Sequence, residues 1–276
     1  MIRLAVQSRL VPGASLREKR ETALRLGLDG IELSGFPMAE LAREALAERL
    51  PVSAMCSGHR GWLIDPDPEQ IRLAIADIEE LLGLGAELDA PLILVPIYGR
   101  TRFLPHCQTG RTPEEDERLF LDGMARVAAY AERVGARILL EAINRYENSV
   151  SVTLDDALRL RDAIGSPAVQ VMGDVFHMNI EEAALGAALE RAAPHLGYVH
   201  LADSQRLEPG RGHLDFDDVF GALVRIGYAG WASLECNLSG PAEAVLPGSV
   251  AYLRERIAAA EEASEAAAGR PEAGPW

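Results

Sequence analysis

Residues 137–174 read RILLEAINRYENSVSVTLDDALRLRDAIGSPAVQVMGD and contain one complete strand–helix–strand unit. The apolar run at Arg137–Ile143 predicts a buried strand, and Val169–Val175 predicts a second one. Between them, TLDD at 153–156 is typical of a capped helix start, and Gly165 is a common helix stop. Two strands joined by one helix run parallel in the same sheet.

The same alternation recurs along the chain and predicts eight strands. They are short and rich in Val, Ile and Leu, and most show no alternation of apolar and polar residues, as expected for strands buried on both faces. Eight such units within roughly 250 residues predict a single (β/α)₈ TIM barrel. A doubly wound open sheet is the alternative, but residues 7–13 after the first strand lack its Gly-rich fingerprint. The predicted strands are Arg3–Ser8, Gly30–Ser34, Val52–Ser57, Pro91–Ile97, Arg137–Ile143, Val169–Val175, Tyr198–Asp203 and Gly230–Cys236.

The domain prediction is one barrel over residues 1–257, followed by a tail. Residues 258–276 are rich in Ala, Glu, Gly and Pro, a composition that predicts a fraying helix and then disorder.

Composition narrows the function classes. The 276 residues are 48% hydrophobic and carry a net charge of −15, which disfavours nucleic acid as a partner. The longest apolar stretch, Pro91–Tyr98, is far shorter than the ~20 residues of a membrane helix, and the start lacks the apolar stretch of a secretory signal. Three scattered cysteines without a CxxC pair favour a reducing cytoplasm.

Four polar side chains stand at the ends of consecutive predicted strands, where TIM barrels carry their chemistry. Three carboxylates converging there would repel one another, and a divalent cation removes that repulsion. The set of three carboxylates and one imidazole suits Mn²⁺, Mg²⁺ or Co²⁺ better than a structural zinc site. The four residues are Glu141, Asp174, His200 and Glu235.

The segments around these residues resemble a known family. EAINRYEN (141–148), DVFHMNIEE (174–182), HLADSQRLEPGRGH (200–213) and LECN (234–237) are similar to the sugar isomerase/epimerase superfamily of xylose isomerase-like TIM barrels. Within it, the ketose 3-epimerases acting on D-tagatose, D-psicose or L-ribulose are the most similar. The resemblance covers residues 137–236, and the first half of the chain fits only generally.

The resemblance implies a metal-dependent isomerase that inverts C3 of a free ketose through an enediolate. It implies one divalent ion, with Mn²⁺ as first choice and Co²⁺ or Mg²⁺ as alternatives, a small sugar substrate, and a homodimer or homotetramer. In this assignment Glu141, Asp174, His200 and Glu235 bind the metal, Glu141 and Glu235 are the acid/base pair, and Glu147, His177 and Arg206 bind substrate.

Three rival functions share this scaffold. An aldose–ketose isomerase of the hydroxypyruvate type would move the proton between C1 and C2, and an inosose-type dehydratase shares the PGRGH loop at 209–213. An endonuclease IV-like repair enzyme needs a cluster of about three metal ions and a basic face, which six histidines and the charge of −15 disfavour.

Overall fold

The computed structural model describes residues 1–96 and 109–268, and in it eight parallel strands form a closed barrel. The last strand pairs with the first, with Val6 opposite Leu234, so the sheet closes on itself. The predicted TIM barrel is therefore confirmed. The strands are β1 (Arg3–Gln7), β2 (Gly30–Ser34), β3 (Met55–Cys56), β4 (Leu92–Leu94), β5 (Ile138–Glu141), β6 (Val169–Asp174), β7 (Leu196–Leu201) and β8 (Trp231–Leu234).

Helices cover the outside of the barrel. Thr112 and Thr153 form capping boxes at two helix starts, and Gly135 and Gly165 end the same helices in the left-handed conformation. The helices are α1 (Leu16–Arg25), α2 (Met38–Ala47), α3 (Pro68–Leu88), α4 (Pro113–Val134), α5 (Leu154–Ile164), α6 (Val175–Glu181), α7 (Leu185–Ala192), α8 (Phe216–Arg225) and α9 (Ala242–Ala268). None of these described helices is long and apolar enough to cross a membrane.

A small apolar layer fills the barrel interior, separate from the larger core between barrel and helices. Glu141, Asp174 and His200 each stand two residues after a member of that layer. Side chains two apart on a strand share one face, so these three point into the barrel at its carboxyl end. The layer consists of Ala54, Ile93, Leu139, Met172 and Tyr198.

Six of the eight strands are shorter than predicted, and β3 and β4 lose the most residues. β3 covers only Met55–Cys56, because Ser57 and Gly58 adopt φ of +49° and +83° and turn the chain out of the sheet. β4 ends at Leu94, and Ile97, the last residue predicted for it, lies outside the described residues.

The final helix runs across the boundary predicted at residue 257. Ile257 is buried, and the Ala-rich turns after it continue to Ala268 beside α8, as suits strong helix-forming residues. The disordered tail remains a prediction, because residues 269–276 lie outside the described residues.

Candidate active site and metal centre

The four predicted metal ligands meet at the carboxyl end of the barrel. Glu141 and Asp174 end β5 and β6, His200 lies in β7, and Glu235 directly follows β8. One ligand atom from each lies within 4.8 Å of the other three. Nδ1 of His200 is 2.9 Å from Oε2 of Glu235, 3.5 Å from Oε1 of Glu141 and 3.8 Å from Oδ2 of Asp174.

The donor set fits a divalent cation. Oε1 of Glu141 and Nδ1 of His200 are buried and make no hydrogen bond of acceptable geometry to any described residue. Both atoms belong to the group of four ligands. Buried polar atoms without partners are costly, and a metal ion bound between them would satisfy both. Three carboxylates and one imidazole offer the oxygen-rich coordination that Mn²⁺ or Mg²⁺ accepts.

Burial and neighbouring charges set the pKa values of these groups in the metal-free protein. Burial raises the pKa of Glu141 to about 7, because the loss of solvation outweighs the attraction of His200. Burial acts in the same direction on Glu235, but His200 and Arg206 outweigh it and hold the pKa of Glu235 well below its usual range. The two proposed acid/base carboxyls therefore sit in different electrostatic environments.

Glu32 lies on the far side of the His200 ring and is fully buried. Its Oε2 accepts hydrogen bonds from Tyr198 Oη at 3.0 Å and His200 Nε2 at 2.9 Å, and its Oε1 accepts from Gln7. Glu32, Cys56 and His200 also approach one another closely enough to share a metal. However, Glu32 already bonds three donors, so these residues form a hydrogen-bonded support for the ligand group.

Arg206 reaches the same group from the loop after β7. Its Nη1 donates to Asp174 at 2.7 Å and its Nη2 to Glu235 at 2.9 Å, while the guanidinium carbon lies 4.6 Å from the centre of the Phe176 ring. The predicted substrate-binding Arg206 thus stands beside the ligand carboxylates.

The two other predicted substrate residues belong to one connected chain of contacts. His177 lines the cavity, and its Nδ1 accepts a hydrogen bond from the Asn144 amide at 2.6 Å. Asn144 Nδ2 also donates to Glu147 at 3.4 Å. Glu147 lies further along the loop and is not among the described residues that line the cavity. Asn144 therefore links Glu147 to His177.

A cavity of about 280 Å³ opens above the ligand group. One wall carries Glu141, His177, Arg206 and Glu235, and the opposite wall comes from the last residues of β1, β2 and β3 and from the loops after them. A larger space of about 620 Å³ lies at the other mouth of the barrel, around Arg3 and Trp231, far from these ligands. The smaller cavity is the candidate active site because it contains the converging carboxylates. The opposite wall consists of Gln7, Arg9, Ser34, Gly35, Cys56, Ser57, Gly58, His59 and Trp62.

The sequence patterns alone predicted no role for most residues of that opposite wall. Gln7 is the last residue of β1, the same strand-end signal that led to the predicted metal ligands on later strands, whereas Glu32 lies in the middle of β2. Asn144 and Tyr198 gave no such signal, because an amide in a loop and a tyrosine in a strand are common structural residues.

Comparison with known proteins places the chain in a family. The xylose isomerase-like TIM barrel family matches residues 21–256. The chain belongs to this family. Its relatives within the xylose isomerase-like TIM barrels include the 3-dehydro-D-guloside 4-epimerase of Escherichia coli K12, with 33% identity over 92% of this chain and 99% of the relative. The D-psicose 3-epimerase of Ruminiclostridium cellulolyticum is 33% identical over 78% of this chain and 76% of its own.

Solved structures agree with this assignment. The 3-keto-D-glucoside 4-epimerase from E. coli superposes with a TM-score of 0.85 at 31% identity, covering 92% of this chain and all of the other. The predicted resemblance to xylose isomerase-like barrels is confirmed, as is the isomerase class: the chain is an enzyme of the sugar epimerase and isomerase type.

Proposed function

We propose that the enzyme is a metal-dependent epimerase that inverts the carbon beside the ketone of a sugar, with C3 of a free ketose as the first candidate. The observation that carries the proposal is the placement of Glu141 and Glu235. They come from β5 and β8, at the two ends of the run of ligand-bearing strands, and both line the cavity. Inversion requires a proton acceptor on one face of a carbon and a donor on the other.

Glu141, Asp174, His200 and Glu235 would hold the divalent ion, with Mn²⁺ as first choice. When bound, the ion supplies Lewis-acid polarisation of the sugar carbonyl and makes the neighbouring C–H more acidic.

The protein's own groups carry the proton and hold the sugar. One of Glu141 and Glu235 removes the proton beside the carbonyl to give an enediolate, and the other returns a proton to the opposite face. Arg206 and His177 line the same wall and orient the sugar, while Glu147 supports His177 through Asn144. The substrate is a small molecule. A cytoplasmic location and a homodimer or homotetramer stay predictions.

A second candidate is epimerisation at C4 of a 3-keto-glycoside. It is favoured by the relative of 33% identity that matches over 99% of its length, since the ketose 3-epimerase of equal identity matches over only 76%. Both reactions invert a carbon next to a ketone, so both need the same two glutamates. Their substrates differ in whether the anomeric carbon carries a glycosidic substituent.

The test incubates metal-stripped protein, reloaded with Mn²⁺, with free ketoses and with 3-keto-glycosides in D₂O. Deuterium at C3 of an epimerised ketose supports the first candidate, and deuterium at C4 of an epimerised 3-keto-glycoside supports the second. Deuterium at C1 with an aldose product would establish an aldose–ketose isomerase, and loss of water would establish a dehydratase. If no substrate exchanges a carbon-bound hydrogen, the enediolate proposal fails.

Replacement of either glutamate tests the acid/base pair. Glu141→Gln and Glu235→Gln keep the side-chain shape but remove the base, so each should lower kcat by at least about 10²- to 10⁴-fold. The matched control is Glu243→Gln, on the exposed first turn of α9, which should retain full activity. Near-normal turnover in either active-site variant would contradict the assignment.

A further inference from the structure

The carboxylate of Glu32 is surrounded by donors alone. Gln7 Nε2 donates to its Oε1 at 2.9 Å, while Tyr198 Oη at 3.0 Å and His200 Nε2 at 2.9 Å share its Oε2. Glu32 has no exposed surface, so no water replaces these bonds. A fully buried carboxylate with three donors is stable only while all three partners remain in place.

The bond to His200 decides which ring nitrogen is free. Because Nε2 donates its hydrogen to Glu32, Nδ1 presents its lone pair when the ring is neutral. Nδ1 is the nitrogen that faces Glu141, Asp174 and Glu235. A hydrogen bond to the remote nitrogen thus sets both the tautomer and the orientation of the ring toward the ligand group.

Gln7 connects the same carboxylate to a second ligand. Its Nε2 donates to Glu32 and also to Glu235 Oε1 at 2.8 Å. Its Oε1 accepts from Arg9 Nε at 2.7 Å, which fixes which way the amide points. Two of the four ligands, His200 and Glu235, are therefore held from β1 and β2, the strands that contribute no ligand themselves.

We propose that Glu32 is a positioning residue for the metal centre: it orients His200 so that Nδ1 faces the metal, and with Gln7 it fixes the spacing between His200 and Glu235. This inference rests on the proposed metal-dependent function. Glu32 lies behind the ring and does not line the cavity, so its effect reaches the substrate only through the ligands.

The decisive measurement is Mn²⁺ affinity rather than turnover. Glu32→Gln is nearly isosteric, but only one of its two terminal atoms accepts hydrogen bonds, so at least one of the three donors would face an NH₂ group instead of an acceptor. Free Mn²⁺ counted by electron paramagnetic resonance should show binding about 10- to 100-fold weaker than in the wild type.

Ser53→Ala is the matched control. Ser53 lies in the same buried interior and its hydroxyl bonds Tyr198 Oη at 2.7 Å and the Ile31 carbonyl, rather than Glu32 or a predicted ligand. Its variant should lose some thermal stability and keep the wild-type Mn²⁺ affinity. Unchanged affinity in Glu32→Gln overturns the proposal, and so does an equal loss of affinity in both variants. If the wild type itself binds no Mn²⁺, the metal centre of the proposed function fails and Glu32 loses its role with it.

A second measurement needs no variant at Glu32. In the wild type loaded with diamagnetic Mg²⁺, ¹⁵N-histidine NMR should show His200 with its hydrogen on Nε2, assigned by the signal missing in His200→Asn. A hydrogen on Nδ1 in the loaded protein would overturn the proposal even if Glu32→Gln does not fold.

Discussion

His59 lines the cavity and carries a buried hydrogen-bond acceptor. Its Nδ1 lies 3.3 Å from the carbonyl oxygen of Arg60 and donates to it, which leaves Nε2 as the acceptor. Nε2 is buried and has no hydrogen-bond partner among the described residues. The ring packs edge-on against Trp62, with the ring centres 4.9 Å apart, and Arg60 is clamped to Asp77. These contacts hold His59 in place at the cavity wall.

His59→Phe tests this acceptor. If a sugar hydroxyl bonds Nε2, the variant should raise KM by roughly 2- to 10-fold, the value of one hydrogen bond, and leave kcat nearly unchanged. Burial lowers the pKa of His59, so the ring is neutral and the effect on KM should be constant above about pH 6.5. Steady-state kinetics across pH measure it. His195→Phe, at the opposite end of the barrel, is the control, and a fall in kcat alone in His59→Phe would contradict this role.

The loop between β7 and α8 is organised by one carboxylate. Asp203 is buried, and it accepts from the backbone N–H groups of Ser204 at 2.8 Å, Gly210 at 2.9 Å and Leu214 at 3.2 Å. The backbone N–H of Arg206 donates to the Asp203 carbonyl at 2.8 Å. Arg206 itself adopts a positive φ of +63°. Asp203 thus fixes the loop that carries Arg206 to the ligand group.

Asp203→Asn should destabilise the protein by about 1–3 kcal/mol at pH 7, because an amide hydrogen replaces an acceptor among backbone donors. Burial alone would raise the pKa of Asp203, but the backbone N–H groups outweigh it and lower the pKa below its usual value. Since the folded pKa is the lower one, the stabilisation is present above about pH 4 and is lost as the pH falls through the folded pKa.

Urea unfolding at neutral and acidic pH measures this difference between wild type and Asp203→Asn. The gap in unfolding free energy should narrow below about pH 4. Asp217→Asn, which removes an exposed partner of Arg256, is the control and should change stability by less than about 1 kcal/mol. A gap that stays constant with pH would show that the charge of Asp203 contributes nothing.

Across the barrel, the proposed metal joins four consecutive strands, β5 to β8. A ligand that binds only the folded state at one hundred times its Kd adds about 2.7 kcal/mol to the unfolding free energy. Mn²⁺ should therefore raise Tm by roughly 5 to 8 °C. Calorimetry with and without a chelator measures the shift, which Glu243→Gln should retain. An equal shift in Asp174→Asn would place the stabilising ion elsewhere.

Much of this architecture follows from local sequence patterns. Short Val-, Ile- and Leu-rich runs, capping boxes at Thr112 and Thr153, and Gly135 and Gly165 at helix ends predict the alternating strands and helices. These signals are local because capping and helix termination involve residues only a few positions apart. The strand-end rule likewise places the predicted metal ligands at one mouth of the barrel, since it needs only the end of each strand and its period of two.

The partners behind those ligands come from contacts between distant parts of the chain. Glu32 and His200 are 168 residues apart, and Gln7 and Glu235 are 228 apart. A strand's periodicity determines which face a side chain occupies, but not which side chain lies opposite it inside a closed barrel. That pairing depends on β1 closing against β8 and on the direction in which each amide and carboxylate turns. The same holds for the cavity wall around His59, which consists of loops whose shape depends on tertiary packing rather than on sequence periodicity.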